Sequence, residues 1–210
     1  MFIAPSTGDK RVAQAREIWK QTIPAAGTLT DHYLSARGVK NCAIPPTIRH
    51  HPSLPYWFDG VTSRHPALVA RVDDLVTGRF LGIQRIYLDK AIDADPAGKA
   101  NVEFVKKTLG SIRGGGVLIG GKISPRHAVF VGEGIETVGN AVSDWGRPGI
   151  AALGTSGLKS LRLTDEARLI YILADEDDND AGLNAAHEAA DRWVNKERRR
   201  VRVVAPWSVL

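Results

Sequence analysis

The chain has little of what would staple a fold or carry soft-metal chemistry. Its 210 residues include one cysteine, Cys42, and one methionine. A lone cysteine excludes an intrachain disulfide and a cysteine-based zinc site, so no zinc is expected. No apolar run approaches the length of a membrane span, and no membrane partner is expected. Residues 1–10 lack a charged segment followed by an apolar one, so no secretion signal is read there. The setting these absences imply is the cytoplasm. Aromatics are sparse too. Trp19, Trp145, Trp193 and Trp207 are read as packing residues, whereas Trp57, between Tyr56 and Phe58 in a proline-rich stretch, is set apart as a candidate base-stacking platform.

What is present suffices for a core: 43% of the residues are hydrophobic and 24% charged, the balance of a globular protein. The net charge of +5 is uneven. Residues 1–126 carry 18 Lys and Arg against 10 Asp and Glu, whereas residues 127–210 carry 10 against 13. A basic first part beside an acidic second part suits a protein that grips a polyanion with one lobe and holds a cation with the other. We therefore expect a basic N-terminal α+β lobe over 1–126 and a second domain over 127–210.

In the first part, the spacing of Val12, Ala15, Ile18 and Trp19 predicts a helix over 9–20 with Asp9 as its N-cap. A short helix over 30–38 ends at Gly38. The stretch 44–56 is too rich in proline for more than a short edge strand. Within it and after it, His50, His51 and His65 have no cysteine or second cluster to support a metal site, and structural or surface roles are expected. Residues 66–89 read as a β-hairpin turning at Gly78. A polar loop over 90–101 follows. Arg113, with Lys106 and Lys107 upstream and Gly114, Gly115 and Gly116 behind it, would let backbone and cations approach a phosphate closely; a plain glycine-rich turn is the alternative.

From residue 127 the pattern alternates strand and helix. Strands are expected at 128–131, 149–153, 169–174 and 201–204. Ile135, Val138, Val142 and Trp145 mark one helix, Leu158 to Leu163 a short second, and Leu183, Ala186, Ala190 and Trp193 a third. Such alternation implies a parallel sheet flanked by helices. The cations of 196–200 suit the C-terminal end of the last helix.

Two of the strands end abruptly in carboxylates: Glu133 after the first, Asp175 and Asp177 after the third. Ligands of open α/β sheets bind beyond the carboxyl ends of such strands. Carboxylates converging there repel unless a cation neutralises them, and hard oxygen ligands without His or Cys point to Mg²⁺ or Mn²⁺. Gly134 keeps a side chain away from the place. An acidic loop that merely caps the following helix is the other reading of residues 175–180.

The run Glu133-Gly-Ile-Glu-Thr, with Ala174-Asp-Glu-Asp and Asp180-Ala-Gly182 downstream, resembles the Toprim domain of bacterial-type primases, topoisomerases and related nucleases. The closer resemblance is to the Toprim proteins of phage and plasmid primase-helicases. It extends upstream through Tyr33-Leu-Ser-Ala-Arg-Gly38, His65-Pro-Ala-Leu-Val-Ala-Arg71, Gly82-Ile-Gln-Arg-Ile-Tyr-Leu88 and Lys107-Thr-Leu-Gly110. The resemblance implies an α/β Toprim-like fold with Glu133 as metal ligand or general acid/base and Asp175 with Asp177 as the Mg²⁺-holding pair. It implies that Arg85, Lys99, Lys106 and Lys107 guide template or nucleotide. The family usually has Asp-x-Asp-x-Ala-Gly, whereas here Asp177-Asp-Asn-Asp180 precedes Ala181-Gly182, so Asp178 and Asp180 are an alternative pair.

The activity so implied is DNA primase: metal-dependent nucleotidyl transfer making short primers from nucleoside triphosphates on single-stranded DNA. A Mg²⁺-dependent nuclease, or a non-catalytic nucleic-acid-binding accessory protein of a mobile element, are the alternatives. A replicative helicase or a zinc-module protein acting in trans is the partner such a core would use.

Overall fold

A computed structural model describes residues 6–40, 44–89, 98–174 and 180–204. Cys42, Trp207, the loop 90–97 and the acidic residues Asp175, Asp177 and Asp178 lie outside the described residues. The chain forms two compact units. One comprises Met1–Arg37, Pro46–Val72 and Phe80–Ile112; the other comprises Gly38–Pro45, Asp73–Arg79 and Arg113–Leu210.

The first unit opens with helix α1 (Thr7–Lys20). It starts two residues before Asp9 because Ser6 is the N-cap. The Asp9 amide donates to Ser6 Oγ at 3.2 Å and the Ser6 amide donates back to Asp9 Oδ2 at 3.1 Å. This reciprocal capping box satisfies two donors that the helix itself leaves orphaned. Strand β1 (Ile23–Pro24) and helix α2 (Leu29–Ala36) follow, with Thr28 capping α2 through the Thr30 amide.

The rest of the unit is a sheet of β1, β2 (Ile48–Phe58), β3 (Val61–Asp73), β4 (Phe80–Tyr87) and β5 (Lys106–Gly110), in that order. The expected short edge strand is instead β2, an 11-residue strand. Two devices let it hold Pro52 and Pro55. The register shifts between His51 and Leu54, and β1 pairs only with Arg49 and His50, so beyond His50 one edge of β2 needs no ladder donors. The β3–β4 hairpin turns at Gly78 (φ +71°) as expected. Val12, Ile18 and Trp19 of α1 pack on a core of Leu54, Tyr56, Val69, Ile83 and Tyr87.

The second unit holds β6 (Val117–Ile119), β7 (Val129–Gly132), α3 (Ile135–Trp145), β8 (Gly149–Ala151), α4 (Thr155–Ser160), β9 (Leu169–Leu173), α5 (Ala181–Asn195) and β10 (Arg200–Val204). The sheet order is β10-β9-β7-β8-β6. The first four of these are parallel and β6 runs antiparallel on β8. This is the expected α/β sheet with one addition. The edge strand β6 lies upstream of residue 127, and the turn before it also belongs to this unit.

One sheet face buries Val129, Val131, Ile150, Ile170 and Ile172 against Leu158 of α4 and Ala185, Ala186, Ala189 and Trp193 of α5. Burial of Trp193 alone is worth about 3–5 kcal/mol against truncation to alanine. The buried face of α5 runs through Gly182 and the alanines, not through Leu183, which is 39% exposed. Small residues bring the helix axis close to the sheet and turn Leu183 outward. Trp145, expected on the inner face of α3, is 49% exposed at the helix end. Helix α3 lies close on β8: a Cβ at Gly149 would stand 2.4 Å from Val138 Cγ1 and 2.8 Å from Val142 Cγ2.

Candidate active site at the carboxyl edge of the parallel strands

Strands β8, β7 and β9 end at one level, since Gly132 is in register with Ala151 on one side and Leu173 on the other. Glu133 is the next residue along β7. Its backbone is held by Leu153, whose amide donates to the Glu133 carbonyl at 2.8 Å, while the Ala152 amide donates to Gly132 O at 2.8 Å. Leu153 and Gly154 take positive φ, +69° and +122°, which turns the chain sharply out of β8 at the same edge. Glu133 is half-buried and engaged with its surroundings.

Helix α3 begins here, with Gly134 as its N-cap and Glu136 in its first turn. A Cβ at Gly134 would meet Thr137 Oγ1 at 3.4 Å and Glu136 Oε2 at 3.6 Å, ordinary contact distances. No described neighbour therefore requires glycine there. Helix α5 also starts after β9, with Asp180 as its N-cap at φ +53° and no side-chain capping bond. Helix N-termini carry partial positive charge and favour anions at this edge.

Ala174, which follows β9 directly, donates its amide to Val204 O at 3.0 Å. Asp175, Asp177 and Asp178 come next in sequence and lie outside the described residues, so Glu133 and Asp180 are the members of the expected set that the structure places. Among the described residues no group of three or more His, Cys, Asp or Glu could hold a metal ion. The one described strand-end carboxylate here, Glu133, is an oxygen donor of the kind hard divalent cations take.

The expected basic residues fall into different settings. Arg85 and Lys107 face each other across β4 and β5. Arg85 is half-buried, its Nε has no partner among the described residues, and burial pulls its pKa down despite the nearby Tyr87. The ammonium of Lys107 lies 4.2 Å from the Tyr56 ring centre, 5.8 Å from that of Phe58 and 6.0 Å from that of Phe104. It also donates to the Trp57 carbonyl at 2.9 Å. Lys106 is exposed on the other side of β5, Lys99 bridges to Leu88, and Arg113 is exposed in the turn after β5. The glycines behind Arg113 have packing duties: Gly114 O accepts from the Arg162 amide at 2.9 Å, and a Cβ at Gly116 would lie 2.6 Å from Ile150 Cγ2.

Trp57 is 66% exposed, and Phe104 and Phe58 are 50% and 36% exposed. Phe58 and Phe104 meet edge to face at 5.1 Å. The sequence sets Trp57 apart but does not show the tip of Lys107, Phe58 and Phe104, because Phe104 comes from the distant loop before β5. The histidines have structural roles. His50 Nδ1 is 2.9 Å from Thr30 Oγ1, His51 Nδ1 accepts from the Ser53 amide at 3.1 Å, and His65 Nε2 is 2.9 Å from Ser63 Oγ. Sequence reasoning also missed Asp74, a buried carboxylate in the second unit. Its Oδ1 accepts from the Val76 and Thr77 amides and its Oδ2 from Arg162 at 3.0 Å. Burial opposes ionisation, but these donors hold its pKa below the ordinary value.

Residues 9–119 match a family model described as a domain of unknown function (DUF7146), and residues 128–207 match the model of the Toprim domain. No curated protein matches the sequence. Among solved structures the chain is similar to the Aquifex aeolicus primase, in a crystal structure of its zinc-binding and RNA polymerase domains, with a TM-score of 0.54 and 16% identity. The match covers 96% of this chain and 56% of that one, so this chain spans little more than half of the length of that primase fragment. At that identity the likeness is one of fold.

Proposed function

We propose, for a chain that belongs to the DUF7146 family and carries a Toprim domain, that it is a primase-like nucleotidyltransferase. It would make short primers on single-stranded DNA, a 3′-hydroxyl attacking the α-phosphate of a nucleoside triphosphate, breaking the α–β phosphoanhydride bond and releasing pyrophosphate. The observation that carries this reading is the common level at which β7 and β9 end, Gly132 against Leu173, with Glu133 issuing from one strand and the acidic run 175–180 following the other in sequence.

Glu133 with Asp175 and Asp177, or with Asp178 and Asp180 in the shifted alignment, would hold Mg²⁺ or Mn²⁺. Such an ion, when bound, neutralises the carboxylates and offsets charge on the reacting phosphate. The protein's own part is to fix Glu133 between two strand ends and to aim the α3 N-terminus at the anion. Lys106, Lys99, Arg85 and Arg113 are assigned to strand or nucleotide phosphates. Lys107 is assigned to the same task indirectly, through the aromatic tip that it organises. A helicase or zinc-module protein would act in trans, and the basic lobe would guide the template.

The test is template-directed synthesis with single-stranded DNA, labelled nucleotides and Mg²⁺, run beside a chelated control. Labelled product that depends on template and metal is expected. Magnesium-dependent loss of an end-labelled strand without product would move the assignment to nuclease. Metal-independent strand binding with neither reaction would leave an accessory protein.

A further inference from the structure

Among the described residues, strand β10 is the outer edge of the second unit's sheet and pairs with β9 alone. Side chains alternate between the faces of a strand. Val201 and Val203 face the core that α4 and α5 cover. Arg200 and Arg202 therefore face the other way, beside Leu169 and Tyr171, with which they are in register. On that second face α3 lies against β6, β7 and β8. Phe130 of β7 is buried there, with the Tyr171 ring centre 6.1 Å from its own. Among the described residues the covering stops beyond Tyr171: Tyr171 is half-buried, and Arg200 and Arg202 are exposed.

The same stretch lines two clefts. One of about 740 Å³ is bordered by Arg162, Arg168, Arg198, Arg199 and Arg200. The other, of about 450 Å³, is bordered by Tyr171, Arg199, Arg200 and Arg202. They share Arg199 and Arg200 and so form one run.

Two of these arginines are spent on structure. Arg199 donates to the carbonyls of Leu163, Thr164 and Ala167 and pairs with Glu197 at 2.8 Å. Arg162 pairs with Asp74 at 3.0 Å. Arg168, Arg198, Arg200 and Arg202 form no ion pair among the described residues. The nearby acids Glu197 and Asp165 both lean on Arg199, at 2.8 Å and 4.0 Å. The helix dipole, which accounts for a cationic helix end, does not cover them. Helix α5 ends at Asn195 with Arg192 in its last turn, and Arg198 and Arg200 lie past it.

We propose that the open face of β9 and β10 is a nucleic-acid surface separate from the carboxylate edge, with Arg200 and Arg202 on backbone phosphates and Tyr171 against an unpaired base. Exposed cations two residues apart on one strand stand about 6.6 Å from each other, a ladder rather than a compact cage. A ladder suits the regular phosphates of an extended strand better than the clustered ones of a free nucleotide. A half-open aromatic ring among arginines is how sheet surfaces take single strands without reading sequence. The inference rests on the proposed function only for the class of ligand. Arg200 lies at the amino end of β10, so a strand seated there would lead along the sheet toward Glu133.

The experiment is fluorescence anisotropy of a labelled single-stranded oligonucleotide in EDTA, as a function of salt. The variants are Arg200→Ala/Arg202→Ala and a control, Lys122→Ala/Arg126→Ala, which removes the same charge elsewhere in the unit. Each single-strand phosphate contact contributes about 0.7 to the slope of log affinity on log salt, so the first variant should lose about 1.4 and the control close to nothing. An unchanged slope, or equal loss in both variants, overturns the surface. A strand bearing 5-iodouracil should also crosslink to Tyr171 of the unaltered protein; crosslinks confined to the first unit would overturn it as well. Unaltered protein that makes no primers but shows this slope difference would sink the primase reading and leave the surface standing. Primer synthesis with an unchanged slope would do the reverse.

Discussion

Lys107→Met separates two roles for one lysine. Methionine keeps most of the side chain's length and apolar bulk and removes the ammonium. The lost contacts are the charge over the Tyr56 ring at 4.2 Å, with Phe58 and Phe104 farther off, and the bond to the Trp57 carbonyl at 2.9 Å. A cation over an aromatic face contributes about 0.5–1 kcal/mol when exposed and up to about 2 when desolvated. A hydrogen bond from a charged donor adds about 1.5–3 kcal/mol. Lys107 is half-buried and the terms share one ammonium. We therefore expect a loss near the low end of their sum, about 2 kcal/mol. For a chain of this size that lowers the melting temperature by about 4–8 °C. The assay is thermal unfolding by circular dichroism beside strand binding as a function of salt. If Lys107 acts by holding Tyr56, Phe58 and Phe104 together, binding weakens while its salt slope stays put. An unchanged melting temperature with a slope reduced by about 0.7 would show a direct phosphate contact and refute the structural role.

Asp74→Asn leaves the Val76 and Thr77 amides with a weaker acceptor and Arg162 with no counter-charge. The Arg162 side chain is 58% exposed, so screening discounts the ion pair and the amide bonds carry most of the cost, about 1.5–3 kcal/mol in chemical denaturation. Because the folded pKa is depressed, that stability is present above the ordinary carboxyl value of about 3.9 and is lost as pH falls through the folded one. A penalty that already shrinks between pH 7 and pH 5 would contradict this. For His50 and His51 the sign is opposite in origin. Burial, with His51 beside His50 and Arg64 beside His51, holds both pKa values below the usual range. The unfolded chain then binds more protons, so stability falls as pH drops through about 6.5. Their imidazole resonances should titrate below that value, and titration at or above it would show the burial to be wrong.

The parallel half of the fold was legible because its strands are continuous apolar runs, Val129-Phe-Val and Leu169-Ile-Tyr-Ile-Leu, of the kind buried on both faces. Each is followed by a carboxylate, which made Glu133 a candidate before its surroundings were known. Strand β6 escaped because three residues carry no periodicity. Strand β2 was hidden by Pro52 and Pro55, since nothing local reveals that β1 covers only Arg49 and His50. The face of α5 was misjudged through Leu183, because hydrophobic rank favours leucine while the sheet selects alanine for close approach. The aromatic tip and the Asp74–Arg162 pair join residues distant in sequence, and no local pattern announces either.

The most direct measurement is primer synthesis by Glu133→Gln beside the unaltered protein, at saturating template, nucleotides and Mg²⁺, with template binding measured separately in EDTA. The amide keeps the size of the side chain and removes the charge that would hold the cation. The account predicts product from the unaltered protein, at least a hundredfold less from the variant, on the order of what one electrostatic catalytic group supplies, and equal template binding by both. Undiminished synthesis by Glu133→Gln would contradict it, since chemistry would then lie away from the carboxyl edge of β7.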